Sequence, residues 1–334
     1  MGRMEMGKGD RLAIYDTVEK SLPTTKSTRI AERPVHGTWT QMRRSWLAYA
    51  LLAPIFLSLA VFVYYPPILG LVRSFYDWKP GEKALPFVGI HNFQLIASDP
   101  ELGRQVSNMT ALLVFYALFH VSMPFVMAEL IFAVRSTAFK ALYRFLIIVP
   151  TIVPGIVVVL LWRRIYDPRF GPINVLLEAA GLGALARNWL MDPATALYAI
   201  IFVGFPWIFG VSTLIFLGGL GQISSSIIEA SAIDGCTRLQ RVLRIDLPLV
   251  LGQVRLLMIL AVLEAIQSFQ TILVLTQGGP GYVTLVPALQ MYRRAFNTGA
   301  FGYASAVGLL LFVITISLTI AINRAVRPTG EMER

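Results

Sequence analysis

The sequence predicts an all-α membrane protein with six transmembrane helices, on three observations. Of its 334 residues 56% are hydrophobic and only 14% charged, where a soluble domain would carry roughly 25% charged residues. The apolar residues gather in stretches long enough to cross a bilayer, which takes about 20 residues in a helix. They do not form the shorter segments of alternating polarity that barrel strands show.

Six stretches qualify as spans: 47–72, 106–134, 145–162, 194–217, 249–275 and 302–322. Each is expected to be helical because hydrocarbon leaves the backbone polar groups no other partner. Prolines punctuate them. Pro54, Pro66 and Pro67 bracket the first, Pro124 interrupts the second, Pro150 and Pro154 open the third, and Pro206 lies in the fourth. Each removes one helix hydrogen bond and bends the axis. Such bends are either tolerated between packed neighbours or shape a central cavity.

Residues 46–325 thus form the membrane domain. Residues 1–45 are polar and of mixed charge, with Pro23 and Pro34 as breakers, and read as a disordered cytoplasmic tail. They lack the short apolar core and small-residue cleavage site of a signal peptide. A second short tail covers 326–334. With the N-terminus in the cytoplasm, a small excess of Lys and Arg falls inside, clearest at Arg135, Lys140 and Arg144. Six spans then return the C-terminus to the same side.

The formal net charge is +10. Basic residues flanking spans face anionic lipid, and the scattered arginines lack the interleaved aromatics of a single-strand binder, so nucleic acid is not an expected partner. Cys236 is the only cysteine, so no internal disulfide is possible. His36, His91 and His120 lie far apart with no carboxylate at ligand spacing, and no metal site is expected. No GxxxxGK[ST] phosphate loop occurs, so the chain cannot itself be an ATPase. An enzyme would need a nucleophile and base, or metal ligands, at one depth. Glu264 reads as having no His, Cys or Asp partner in the spans, and His120 as packed or hydrogen-bonded.

The loop 219–248 is polar and lies between two long apolar runs. Its spacing predicts a helix over 223–233 capped by Ser224–Ser226, a sharp turn at Gly235 and a second short helix over 237–244. Arg238 and Arg241 share one face of that helix, and Pro248 is expected to stop it. Two readings stand: an amphipathic connector on the headgroups, or a knob that docks a partner. In the fifth span Glu264, Gln267 and Ser268 fall at i, i+3 and i+4, one helical face. Polar groups at that depth face a cavity or a partner. Hydroxyl-rich solutes are held by such groups and by aromatic faces, which Trp207 and Phe209 offer beside Ser212 in the fourth span. Packing aromatics, and an interhelix pair at Glu264, are the alternatives.

The order Glu229-Ala230-Ser231, Asp234-Gly235, then Ile-x-Leu247-Pro248 resembles the EAA loop of ABC importer permeases. Ser231 stands where that motif has its second Ala, and Cys236 where Ala is usual. FVGIHNF at 87–93, YDPRFGPINVL at 166–176, NWLMDPATA at 188–196 and LTQGGP at 275–280 resemble the carbohydrate permeases of the maltose and glycerol-phosphate type. The resemblance implies the type I ABC importer permease fold, with a cytoplasmic coupling-helix loop, in a bacterial inner membrane. It implies a permease subunit moving a sugar or oligosaccharide inward. The partners would be a second homologous permease, two ATP-binding cassette ATPases that bind the ATP, an extracytoplasmic solute-binding protein and the lipid bilayer. No cofactor would belong to this chain. Glu229, Ala230, Ser231, Asp234, Gly235, Arg238, Leu247 and Pro248 would couple to the ATPase. Trp207, Phe209, Ser212, Glu264, Gln267 and Ser268 would line the solute path. At Glu264 the maltose permease has an aromatic residue instead, so the solute stays open. Gly278, Gly279 and Gly281 form either a simple turn or part of an outer gate. The other reading, an ion-coupled secondary transporter for a polar solute, usually shows internal repeats and leaves the 229–248 loop unexplained.

Overall fold

A computed structural model describes residues 46–82 and 84–327; the tail 1–45, residues 328–334 and Lys83 lie outside them. Among the described residues the regular structure is helical, apart from one isolated antiparallel bridge between Tyr76 and Phe87. Contacts divide the chain into two units, ending and beginning at Val61 and Phe62. In the first lies α1, Trp46–Ser58, which contains Pro54.

The second unit begins with α2, Tyr65–Arg73, where Pro66 and Pro67 occupy the first turn. Proline is tolerated there because those N–H groups have no partner within a helix. Next come α3 (His91–Ala97) and α4 (Leu102–Phe132), then α5 (Thr137–Ile148) and α6 (Gly155–Ile165). After α7 (Pro172–Ala179) follow α8 (Ala196–Phe202) and α9 (Gly210–Leu220). The loop helices are α10 (Ser225–Ile233), α11 (Arg238–Arg241) and α12 (Leu247–Leu249). The chain closes with α13 (Leu251–Gln267), α14 (Gln270–Leu275), α15 (Pro287–Phe296) and α16 (Phe301–Ala325).

Tyr49–Arg73, Leu102–Phe132, Leu251–Leu275 and Phe301–Ala325 are long and apolar enough to cross a bilayer. Two bent pairs raise the possible number to six: Thr137–Ile152 with Gly155–Ile165 at 82°, and Gly210–Leu220 with Ser225–Ile233 at 76°. The stretch 145–162 is therefore not one straight helix. Pro150 and Pro154 cannot donate to the helix ladder, and the chain turns between them. The stretch 194–217 is likewise broken between α8 and α9, where Gly204 and Trp207 hold φ of +85° and +53°. Past the break α9 starts hard against α5. A Cβ on Gly210 would lie 2.2 Å from the Ile147 carbonyl oxygen, so only glycine admits this approach.

The 31-residue helix α4 is the hub, with α13 and α9 packed along it, while α16 packs on α15, α13, α2 and α3. Buried side chains form two apolar clusters. One takes Met109 and Leu112 from α4, Val262 and Ile266 from α13, Leu289 and Val307. The other takes Phe125, Ala128 and Ile131 from α4, Phe216, Leu217 and Leu220 from α9, and Val254 and Leu257. His120 falls between the two contributions of α4.

The short motifs outside the spans act as fasteners. Buried Asn92 donates to the carbonyls of Ser74 and Tyr76 at 2.8 and 3.0 Å. Asn174 donates to Pro168 and Arg187 and accepts from the Trp189 indole at 2.8 Å. Asp167 accepts from the backbone N–H groups of Phe170 and Arg169, which hold its carboxyl below the usual range. In the glycine-rich turn, Thr284 donates to Gly279 and pairs with Thr276, and Arg293 donates to the Gln277 carbonyl.

Candidate functional site

Two regions gather the residues singled out by the sequence. In the first, α13 ends at Gln267 because Ser268 turns to extended geometry (φ −70°, ψ 100°) before α14 begins. The packing of α13 on α4 brings Glu264 to His120, with Oε2 3.1 Å from Nδ1. Glu264 therefore does have a histidine partner, contrary to the expectation. The four-residue period of each helix hides a partner some 140 positions away, which only packing reveals. The Glu264 side chain keeps 49% of its exposure and His120 only 13%. The Phe209 ring lies 3.9 Å from the His120 ring, centroid to centroid, and Tyr116 lies 5.7 Å from it.

Two cavities meet at Glu264. A cavity of about 1010 Å³ is lined by Gln267, Phe269, Met291 and Thr315 among others. One of about 400 Å³ is lined by Trp162, Trp207 and Phe209 among others. Tyr116, Glu264, Ser268 and Thr271 line both and form the wall between them. Glu264, Gln267 and Ser268 thus face one space, while Trp207 and Phe209 meet Glu264 and Ser268 in the other. Ser212 is half-buried in the first turn of α9 and lines neither.

Trp207 is held in an unusual state. Its φ of +53° is costly for a bulky residue, and such strain persists only where the surroundings fix it. Phe115, Phe119, Phe202 and Phe205 surround its ring at 5.0 to 5.2 Å. Its indole N–H is buried without an acceptor. The wall therefore offers a carboxylate, hydroxyls, an amide and aromatic faces, the groups that hydrogen-bond and stack on a polyhydroxyl solute. Among the described residues no group of three His, Cys, Asp or Glu is placed to hold a metal.

The second region is the loop. Ser224 sits at the N-cap of α10, but its Oγ lies 2.9 Å from Ser226 Oγ and caps no backbone group. Helix α10 ends in a turn at Gly235, whose φ of +73° suits glycine. A capping box opens α11: Thr237 Oγ1 accepts from Gln240 N at 3.3 Å and Gln240 Oε1 from Thr237 N at 2.9 Å. Such caps contribute about 1 kcal/mol. A π-helical turn over Val242–Asp246 leads into α12, and the helical path ends at Leu249, one residue past Pro248 and just before α13 begins at Leu251. Bonds from Val250 N to Asp246 O and from Val254 N to Val250 O carry the path into α13.

Glu229, Ala230, Asp234, Gly235 and Arg238 are exposed, and Leu247 and Pro248 half-buried. Ser231 is buried and donates to the Ile228 carbonyl at 2.7 Å. Ile233 and Leu239 stand 86% and 67% exposed beside those charges. At the root of the loop lies a cluster that sequence reasoning missed. Arg241 Nε donates to Asp246 Oδ2 at 2.9 Å, and Asp246 is fully buried. Buried Glu129 of α4 lies within electrostatic range of Asp246, Arg241 and Arg238. Asp246 Oδ1 and both Glu129 carboxylate oxygens have no hydrogen-bond partner. The signal was available: Glu129 is a carboxylate inside an apolar span.

The family described as binding-protein-dependent transport system inner membrane component matches residues 120–328. The chain belongs to that family. The permease is 28% identical over 275 residues to the multiple sugar-binding transport system permease protein MsmF of Streptococcus mutans, covering 82% of this chain and 92% of that one. It is 28% identical over 280 residues to the trehalose/maltose transport system permease protein MalF of Thermococcus litoralis, covering 83% and 92%. Its fold matches a chain of a bacterial ABC transporter involved in import of the acidic polysaccharide alginate, with a TM-score of 0.76 at 23% identity over 87% of this chain and 98% of that one. The permease is thus a multi-pass inner-membrane ABC component that works with a solute-binding protein, in the type I fold. This membership disfavours the ion-coupled alternative.

Proposed function

We propose that the permease is one of two related membrane subunits of an ATP-driven importer that carries a sugar or oligosaccharide into the cytoplasm, and that it performs no chemistry itself. The relatives described as sugar permeases support the solute class, as do the hydroxyl, amide and aromatic groups of the two cavities. An extracytoplasmic binding protein delivers the solute and two ATP-binding cassette subunits supply the energy. The membrane domain spans 46–325, with the loop 219–248 and both termini in the cytoplasm.

The observation that carries the coupling reading is that α11, the π-turn, α12 and α13 follow one another with a single non-helical residue, Val250, before α13. From Arg238 the chain runs through the π-turn, α12 and α13 to Glu264 and Gln267. A push on α10 and α11 therefore reaches the cavity wall with few loose joints. Glu229, Ala230, Asp234, Gly235 and Arg238 meet the ATPase, Ser231 braces α10 from inside, and Leu247 and Pro248 form the root. Exposed Ile233 and Leu239 fit the same docking role, since apolar side chains ringed by charge mark protein contacts. The solute path uses Trp207, Phe209, Glu264, Gln267 and Ser268; Ser212, which lines neither cavity, is left out of it.

Affinity purification from membranes tests this. The permease should bring with it a P-loop ATPase and a second, related permease. In liposomes the complex should hydrolyse ATP faster when saccharide-loaded binding protein is added. Uptake driven by an ion gradient through the permease alone would overturn the reading.

A further inference from the structure

We propose that the wall between the two cavities makes this permease selective for saccharides without carboxylate groups, with Glu264 as the specificity-determining residue. This deepens the proposed function and rests on it. Tyr116, Glu264, Ser268 and Thr271 line both cavities, so a solute in either one meets this wall. Among the described residues no Lys or Arg lines either cavity. His120, the nearest group able to carry positive charge, is largely buried and already engaged by Glu264 at 3.1 Å. Glu264, by contrast, keeps half its exposure and lines both cavities.

The remaining polar groups complement a neutral saccharide. Glu264 accepts from sugar hydroxyls, and Gln267 and Ser268 both donate and accept. The aromatic faces of Trp207 and Phe209 suit apolar C–H faces. A uronic acid carboxylate would find no cation and one fixed carboxylate, in a passage whose low dielectric magnifies repulsion.

The test is equilibrium binding to the purified complete transporter in nanodiscs, without the binding protein, so that delivery does not filter the solutes. The probes are neutral and uronic oligosaccharides of matched length, read by saturation-transfer NMR. Neutral saccharides should bind at least about tenfold more tightly than uronic ones, as expected when like charges meet at a binding surface. Glu264→Gln should narrow that gap, and Ser268→Asp, which adds a second carboxylate to the wall, should widen it. The two variants act in opposite directions, so failure of either to assemble leaves the other as the test. Uronic saccharides binding as well as neutral ones, or a gap unmoved by the variants, would overturn the proposal and leave the sugar-permease reading standing. Binding of neither class to any form would overturn both.

Discussion

Two carboxylates of this permease each have a basic partner, and the two pairs live in different surroundings. Glu264 joins His120 beside two cavities and stays half-exposed. Asp246 joins Arg241 with no exposure at all, and Glu129 crowds it with two unpaired oxygens. A buried ion pair adds little net stability over apolar packing, yet losing one partner is costly because the other charge is stranded. The buried cluster lies at the root of the loop and the half-exposed pair lies beside the cavities, with α13 running between them. In the proposed function the first region would transmit force and the second would handle the solute.

The sharpest way to break this contrast is Asp246→Ala. It strands the Arg241 guanidinium and should cost about 3–5 kcal/mol, seen as a large drop in the thermal midpoint of the purified permease. Glu129→Gln is its counterpart. It removes a carboxylate that has no hydrogen-bond partner and lies against Asp246, so the midpoint should hold or rise. A large drop in Glu129→Gln would show that Glu129 is a partner and not a surplus charge.

Next in size is Gly235→Pro. Proline fixes φ near −65°, while Gly235 needs +73°. The α10–α11 turn should be lost while the spans still insert, so ATP hydrolysis would continue without uptake. Normal uptake in this variant would remove the loop from the coupling path. Gln267→Ala follows. It removes an amide from the large cavity and should lower uptake by up to about tenfold, the worth of one or two hydrogen bonds, with assembly unchanged. Unchanged uptake would take Gln267 off the path.

Much of this was legible in advance, for physical reasons that differ between regions. The membrane class came from hydropathy, because a bilayer permits so few backbone solutions. The face carrying Glu264, Gln267 and Ser268 came from helical period alone, and they do line one cavity. The Gly235 turn came from the conformational freedom of glycine. What failed was a judgement about a distant partner. His120 and Glu264 are joined only by the packing of α4 on α13. Pro248 reads as a stop, and the helical path does end one residue beyond it, but through a π-turn that helical period does not foresee. Glu129 was visible in the sequence and passed over, although a carboxylate in a span always demands an account.

The smallest expected effect lies far from both pairs. The Asp167 carboxylate is held below its ordinary range by the N–H groups of Phe170 and Arg169. Its lowered value means the 167–170 turn is stabilised above the usual Asp value of about 3.9, and that contribution fades as pH falls through the lowered value. Amide exchange at Arg169 and Phe170 should quicken only at that acid extreme. Exchange that is already fast at neutral pH would remove Asp167 as the clasp of this turn.

Cys236, the only cysteine in the chain, lies one residue past the Gly235 turn and is partly exposed. It allows a direct test of the link between loop and motor without any mutation. A membrane-impermeant maleimide should label Cys236 in inverted vesicles and not in intact cells, and a short thiol cross-linker should join it to a co-purifying ATPase with a yield that changes on adding ATP. Labelling from outside the cell, or a cross-link yield indifferent to nucleotide, would contradict the account.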